Sequence, residues 1–104
     1  MVARYWSARA RRDTASTYAQ HFNEHVLPVL KKTDGYVTAT VLQREIGHSI
    51  EIVVLTYWKS LEAIRGFAGD DLETAVVADH ARSLFTDYDR RVRHYEVLVK
   101  EVPL

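Results

Sequence analysis

With 104 residues the chain is one domain, long enough to bury roughly 65% of its unfolded surface around a single modest core. An apolar share of 47% and a charged share of 27% exclude a disordered chain, and no cysteine is present to form a disulfide, a thiolate nucleophile or a sulfur-ligated metal site. Basic and acidic residues balance at 14 each, which leaves no global attraction to nucleic acid or anionic membranes. No apolar run approaches a membrane span and the first residues lack the apolar core of a secretion signal, so a cytoplasmic protein is expected.

Val2 to Ala10 mixes aromatic and alternating polar residues and is expected to form a first strand. Asp13 or Thr14 would cap a helix whose apolar residues recur at Ala15, Tyr18, Ala19, Phe22, Val26, Val29 and Leu30. Pro28 cannot donate to the carbonyl of Glu24, so a bend is expected there, and Asp34-Gly35 ends the helix. Tyr36 to Ile46 predicts a second strand, joined through a Gly47-His48 turn to a third.

That third strand, Ser49 to Trp58, is apolar on both faces: Ile50, Ile52, Val54 and Trp58 point one way, and Val53, Leu55 and Tyr57 the other. Both faces need cover. One chain of this size supplies a single layer of helices, so a second copy is expected to cover the other face, giving a homodimer. Ser60 can cap the next helix. Asp70 with Glu73 resembles a capping box that would restart helix through Val77, a helical turn is expected at Ala81–Phe85, and Val92 to Val102 predicts the fourth strand. The order strand, helix, strand, strand, helix, strand is that of a ferredoxin-like α+β fold: a four-stranded antiparallel sheet with helices on one face only.

This topology is expected to gather His21, His25, His80 and His94 toward one half of the molecule, beside Arg9, Arg11, Arg12, Arg90, Arg91 and Arg93, with Trp58 and Tyr36 at the opposite end. Imidazoles exchange protons near neutrality, so the cluster is a candidate acid–base site, although each histidine alone is as readily a packing or surface residue. His21 and His25 have the i, i+4 spacing that can hold a metal, but no glutamate follows His21 as in zinc proteases, and no metal site is assigned. The arginines are read as solvated strand edges or as partners for an anion. Trp58 either lines a pocket or plugs the core, and Gly66 and Gly69 around Phe67 mark a place where a cavity could open between helix and sheet. The third strand lacks the glycine and interleaved aromatics of RNA-binding domains of this topology.

Val26-Leu27-Pro28 ahead of Asp34-Gly35-Tyr36, the run Thr56-Tyr57-Trp58-Lys59-Ser60-Leu61-Glu62-Ala63-Ile64, Phe67-Ala68-Gly69, and Val92-Arg93-His94-Tyr95-Glu96-Val97 together resemble the antibiotic biosynthesis monooxygenase-like branch of the dimeric α+β barrel superfamily. The likeness covers nearly the whole chain. It implies a dimeric barrel holding a small apolar, aromatic or polyketide-type molecule between sheet and helices, acted on by a cofactor-free monooxygenase in which a base or polar donor stabilises a carbanion or enolate that reduces dioxygen. Val77-Ala78-Asp79-His80-Ala81 resembles the neighbourhood of the acid–base histidine in related cyclases. By this resemblance His80 is the proton-transfer group, His94 or His25 a second polar contact, and Trp58, Phe67, Tyr18 and Phe22 the apolar walls. The haem-degrading branch carries an asparagine near the start of strand one, where this chain has Ala3, Arg4 and Tyr5. The competing readings are a polyketide cyclase of the same fold and a binding or interaction protein without turnover, which a cavity below about 300 Å³ would favour.

Overall fold

A computed structural model describes residues 1–101. β1 (Val2–Arg11) leads without a side-chain cap into α1 (Arg12–His21); a π-helical turn, Phe22–Val26, connects α1 to α2 (Leu27–Lys31). β2 (Tyr36–Ile46) and β3 (Ser49–Trp58) form a hairpin, followed by α3 (Leu61–Ala68), α4 (Asp79–Arg82), β4 (Phe85–Tyr88) and β5 (Arg93–Glu96). All strand pairs are antiparallel, in the order β2-β3-β1-β4, with β5 also paired to β1. This is the expected ferredoxin-like order. The fourth position is divided lengthwise between β4, which pairs with Ala8–Ala10, and β5, which pairs with Val2–Tyr5.

The bend expected at Pro28 is taken up just before it. The Leu27 N–H reaches back to the Phe22 carbonyl, so the hydrogen-bonding register slips by one and Pro28 falls in the first turn of α2, where its missing N–H costs nothing. Gly35 has a φ of 88°, and its carbonyl accepts from the Lys59 N–H at 2.8 Å. A Cβ at Gly35 would collide with the Cβ of Ala63, so this close approach of the β2 entry to α3 depends on glycine. At the β2–β3 turn Gly47 has a φ of 59° and His48 keeps a negative φ, the pattern of a II′ hairpin. Ser60 Oγ accepts from the Ala63 N–H at 3.1 Å and caps α3 as expected.

Three expectations need correction. Asp13 and Thr14 do not cap α1: Thr14 Oγ1 donates to the carbonyl of Leu84 at 2.9 Å, fastening α1 to the segment after α4. Residues 70–77 are not helical, because their backbone bonds across to the segment before β5: Val92 N–H to Glu73 O at 2.7 Å, Ala75 N–H to Arg90 O at 2.9 Å, and a bridge between Thr74 and Arg91. Of the expected capping box, Glu73 pairs with Arg91 at 3.3 Å and Asp70 with Arg65 at 3.5 Å, while the neighbouring Asp71 also pairs with Arg91, at 3.0 Å. Finally, regular pairing in the fourth strand ends at Glu96, and Val102 lies outside the described residues.

The core lies between the sheet and the helices. β1 contributes Trp6, Ala8 and Ala10, and β3 contributes Ile50, Ile52, Val54 and Trp58, all buried against Tyr18, Phe22, Leu30 and Ile64. The opposite sheet face carries no helix. It presents Tyr5, Val53, Leu55 and Tyr57, all partly exposed, edged by an Arg44–Glu51 ion pair at 2.7 Å and by Arg93 stacked over Tyr5 at 4.8 Å.

Candidate functional site

A cavity of about 50 Å³ lies between the helix-side face of the sheet, α1 and the segment before β4. Trp6, Tyr18, Phe22 and Phe67 supply aromatic wall, Val76 belongs to the irregular segment, and Arg4 and Thr56 are the polar residues facing in. Phe67, Tyr18 and Phe22, expected as apolar walls, are among the residues that line this cavity. Trp58 does not line the cavity. It is 0% exposed, stacked edge-on to Tyr36 with centroids 5.6 Å apart, tilted against Phe67 at 5.9 Å, and its Nε1–H donates to Thr56 Oγ1 at 2.8 Å. It is the core plug beneath the site, and it fixes the Thr56 hydroxyl.

Arg4 is the residue that sequence reasoning overlooked. It is 4% exposed on a central strand, and among the described residues its guanidinium meets no carboxylate. One terminal nitrogen donates to the Leu72 carbonyl and contacts His94 Nε2 at 3.0 Å; the other donates to the Thr74 carbonyl at 2.8 Å. The Phe67 ring lies 5.8 Å from the guanidinium carbon. Burial pulls the Arg4 pKa down to about 10, still charged at neutral pH. A signal existed in the alternation of β1: counting back from Ala10, Ala8 and Trp6 in steps of two lands on Arg4, facing the core.

The expected histidine cluster forms with a different membership. His21, His25 and His80 meet, with ring centroids 5.2 Å apart for His21–His25, 4.7 Å for His21–His80 and 5.3 Å for His25–His80. His21 is 8% exposed and also rests on Tyr18, at 5.9 Å, whereas His25 and His80 are exposed. Burial is the main cause holding the His21 pKa below the ordinary imidazole value, and the neighbouring His80 and His25 push the same way. None of the three lines the cavity. His94 does not join them. It pairs across the sheet with Arg4 and lies toward the Trp58 end, because β4 takes the place beside the end of β1 that the fourth strand was expected to fill. Burial, and secondarily Arg4, lowers its pKa, so at neutral pH its unprotonated Nε2 accepts from Arg4.

Among solved structures the chain resembles a Bacillus cereus protein provisionally named an antibiotic biosynthesis monooxygenase, at 16% identity and a TM-score of 0.72, covering 100% of this chain and 97% of that one. The fold is the one these proteins share. It is likewise similar to MhuD, a haem degrader from Mycobacterium tuberculosis solved with two haems in its active site, at 17% identity and a TM-score of 0.62, covering 98% of this chain and all of that one. A substituted MhuD holding two manganese protoporphyrin IX molecules per active site gives a TM-score of 0.72 at 17% identity, over 99% of this chain and 100% of that one. No family model matches the sequence, and no curated protein does. Identities this low establish architecture and leave the reaction to the site itself. Among the described residues no helix is long and apolar enough to cross a membrane.

Proposed function

We propose that this chain binds a small aromatic or polyketide-type molecule bearing an ionisable hydroxyl between sheet and helices, and promotes its reaction with dioxygen without a bound cofactor. The observation that carries this reading is Arg4, a buried guanidinium without a carboxylate partner among the described residues, facing an aromatic-walled cavity. A desolvated cation lowers the pKa of a hydroxyl brought against it and stabilises the resulting enolate. An electron-rich enolate reduces dioxygen directly: a ring CH₂ becomes C=O and the second oxygen atom leaves as water, so no external reductant enters the balance. In this reading Arg4 takes the central role expected of His80, His94 is a positioning residue behind it, and His25 and His80 stand outside the reacting centre. Phe67, Tyr18, Phe22 and Trp6 grip the ring.

The present cavity, about 50 Å³, holds a few waters and not a fused ring. Binding therefore requires residues 76–78, which carry Val76 and follow the backbone bonds that hold Glu73 and Ala75, to move outward. The same small volume favours the second reading, a non-catalytic binder of aromatic anions. Oxygen uptake with a hydroxynaphthalene- or anthrone-type compound, measured beside quenching of Trp6 and Trp58 fluorescence, separates the two. Turnover lost in Arg4→Met and kept in His80→Ala supports the oxygenase; saturable quenching without uptake supports the binder; quenching and uptake both unchanged in Arg4→Met would remove Arg4 from the site.

The helix-free face is proposed to pair with a second copy. Val53, Leu55 and Tyr57 form its apolar centre, and the irregular segment after β5 has Leu98 and Val99 each 87% exposed and Lys100 4.0 Å over Tyr57. Burial of about 800 Å² per partner would reach the usual size of a stable interface.

A further inference from the structure

His21 ends α1, His25 sits four residues on in the π-helical turn that continues it, and His80 of α4 joins them from far along the chain, while the aromatic cavity uses none of the three. From their arrangement we infer that they form a binding site for a divalent transition-metal ion of the zinc class, three imidazoles on one side and exchangeable water on the other. One nitrogen from each ring lies within 4.8 Å of those of the other two. Three nitrogens bound tetrahedrally at zinc–imidazole distances would stand about 3.4 Å apart. Closing that difference asks only for rotation of His25 and His80, whose exposed rings are free to turn, toward His21, which packing against Tyr18 holds in place.

The chemistry of the donors agrees with the geometry. Only neutral imidazole binds a metal, and three imidazoles side by side offer three such donors without a competing cation among them. The Glu24 carboxylate lies 3.9 Å from His25 Nε2 and places negative charge next to the proposed cation. A set of three nitrogens without sulfur suits zinc, nickel, copper or cobalt and disfavours magnesium or calcium, which take oxygen ligands. The π turn sets His25 one turn beyond His21, and such turns recur at functional sites. The solvent-facing side of the cluster leaves a coordination position for water, as in sites that exchange ligands.

Metal here would also clamp the fold. α4 has only four residues, and its link to α1 runs through the Thr14 to Leu84 hydrogen bond. An ion shared by His80 and the His21/His25 pair adds a second cross-link and tightens the chain on both sides of α4. This inference stands independently of the reaction proposed above.

The test is zinc chloride titrated calorimetrically at neutral pH into chelator-stripped full-length protein carrying no histidine tag, with native mass spectrometry for stoichiometry and cobalt(II) absorption as a report on tetrahedral nitrogen ligation. One ion per chain is expected, with a raised melting temperature and with His25→Ala and His80→Ala each weakening binding at least about tenfold. His48→Ala, in the exposed β2–β3 turn, should bind as the parent does. Absence of saturable uptake, or uptake that survives both His25→Ala and His80→Ala, would overturn the site. Both variants alter exposed side chains, so retained far-ultraviolet circular dichroism is expected and distinguishes ligand loss from misfolding.

Discussion

Arg4 and His94 face one another across the β1–β5 pair, with a guanidinium nitrogen 3.0 Å from imidazole Nε2, and among the described residues neither has a carboxylate hydrogen-bonded to it. The pair is held by neutrality of the histidine: a protonated ring would set two cations in contact in a buried site. The charges that face His94 are Arg4 from β1, which opposes its protonation, and Glu73 from the irregular segment, which weakly favours it.

Stability should therefore depend on pH in a definite direction. Since the folded state lowers the His94 pKa, the unfolded chain binds the extra proton first, and stability is full above the ordinary imidazole value of about 6.5 and falls as pH drops below it. Urea denaturation of metal-free protein at several pH values should show that decline. His94→Gln, which can still accept from Arg4, should make it shallower; an unchanged slope would show that His94 titrates as it does in the unfolded chain.

Removing the guanidinium should cost stability through the groups it leaves behind. Arg4→Met strands the Leu72 and Thr74 carbonyls, at about 1–3 kcal/mol for each unsatisfied group, partly offset because a charge is no longer buried. Arg4→Lys keeps the charge but cannot span both carbonyls, and should fall between. Denaturant midpoints for the two variants check the order.

Trp58 is expected to be a stability residue. Truncation to alanine should cost about 3–5 kcal/mol, since the side chain is fully enclosed by Tyr36, Phe67 and the Thr56 hydroxyl. Trp58→Phe retains most of the packing and should leave ligand quenching of Trp6 intact; loss of binding at parental stability would instead place the indole in the site.

Two glycines with positive φ should respond differently to alanine. Gly47 opens to solvent and Gly47→Ala should cost about 1 kcal/mol for its backbone conformation alone, while Gly35→Ala adds collision with Ala63 and should cost about 1–3 kcal/mol more. Equal costs would mean that the β2 entry and α3 can separate freely.

Self-association is checked by sedimentation. A dimer at micromolar concentration is expected, and Leu55→Glu, which sets a charge in the middle of the helix-free face, should give monomers that keep their secondary structure. A parent chain that sediments as a monomer would remove this interface.

Periodicity and punctuation made the first two-thirds of the fold legible. The step of two in β2 and β3, glycines at the two turns and Ser60 before α3 are local signals, and local hydrogen bonding honours them. Residues 70–77 carry an equally good local signal for helix, yet Arg91, Arg90 and Val92 bind their side chains and backbone from about twenty residues away, and no reading of neighbours along the chain contains that competition. The site divides the same way. The three-and-four spacing of the first helix put Tyr18 and Phe22 toward the core, and the alternation of β1 pointed Arg4 inward, but that its charge lies beside an aromatic cavity, bonded to two loop carbonyls and His94, depends on where β5 docks along β1. So does the parting of the histidines: composition supplies five, and only packing of α4 against the π turn selects three to meet. Strand and helix periods are properties of neighbouring residues, whereas a site is made by residues that the chain brings together from a distance.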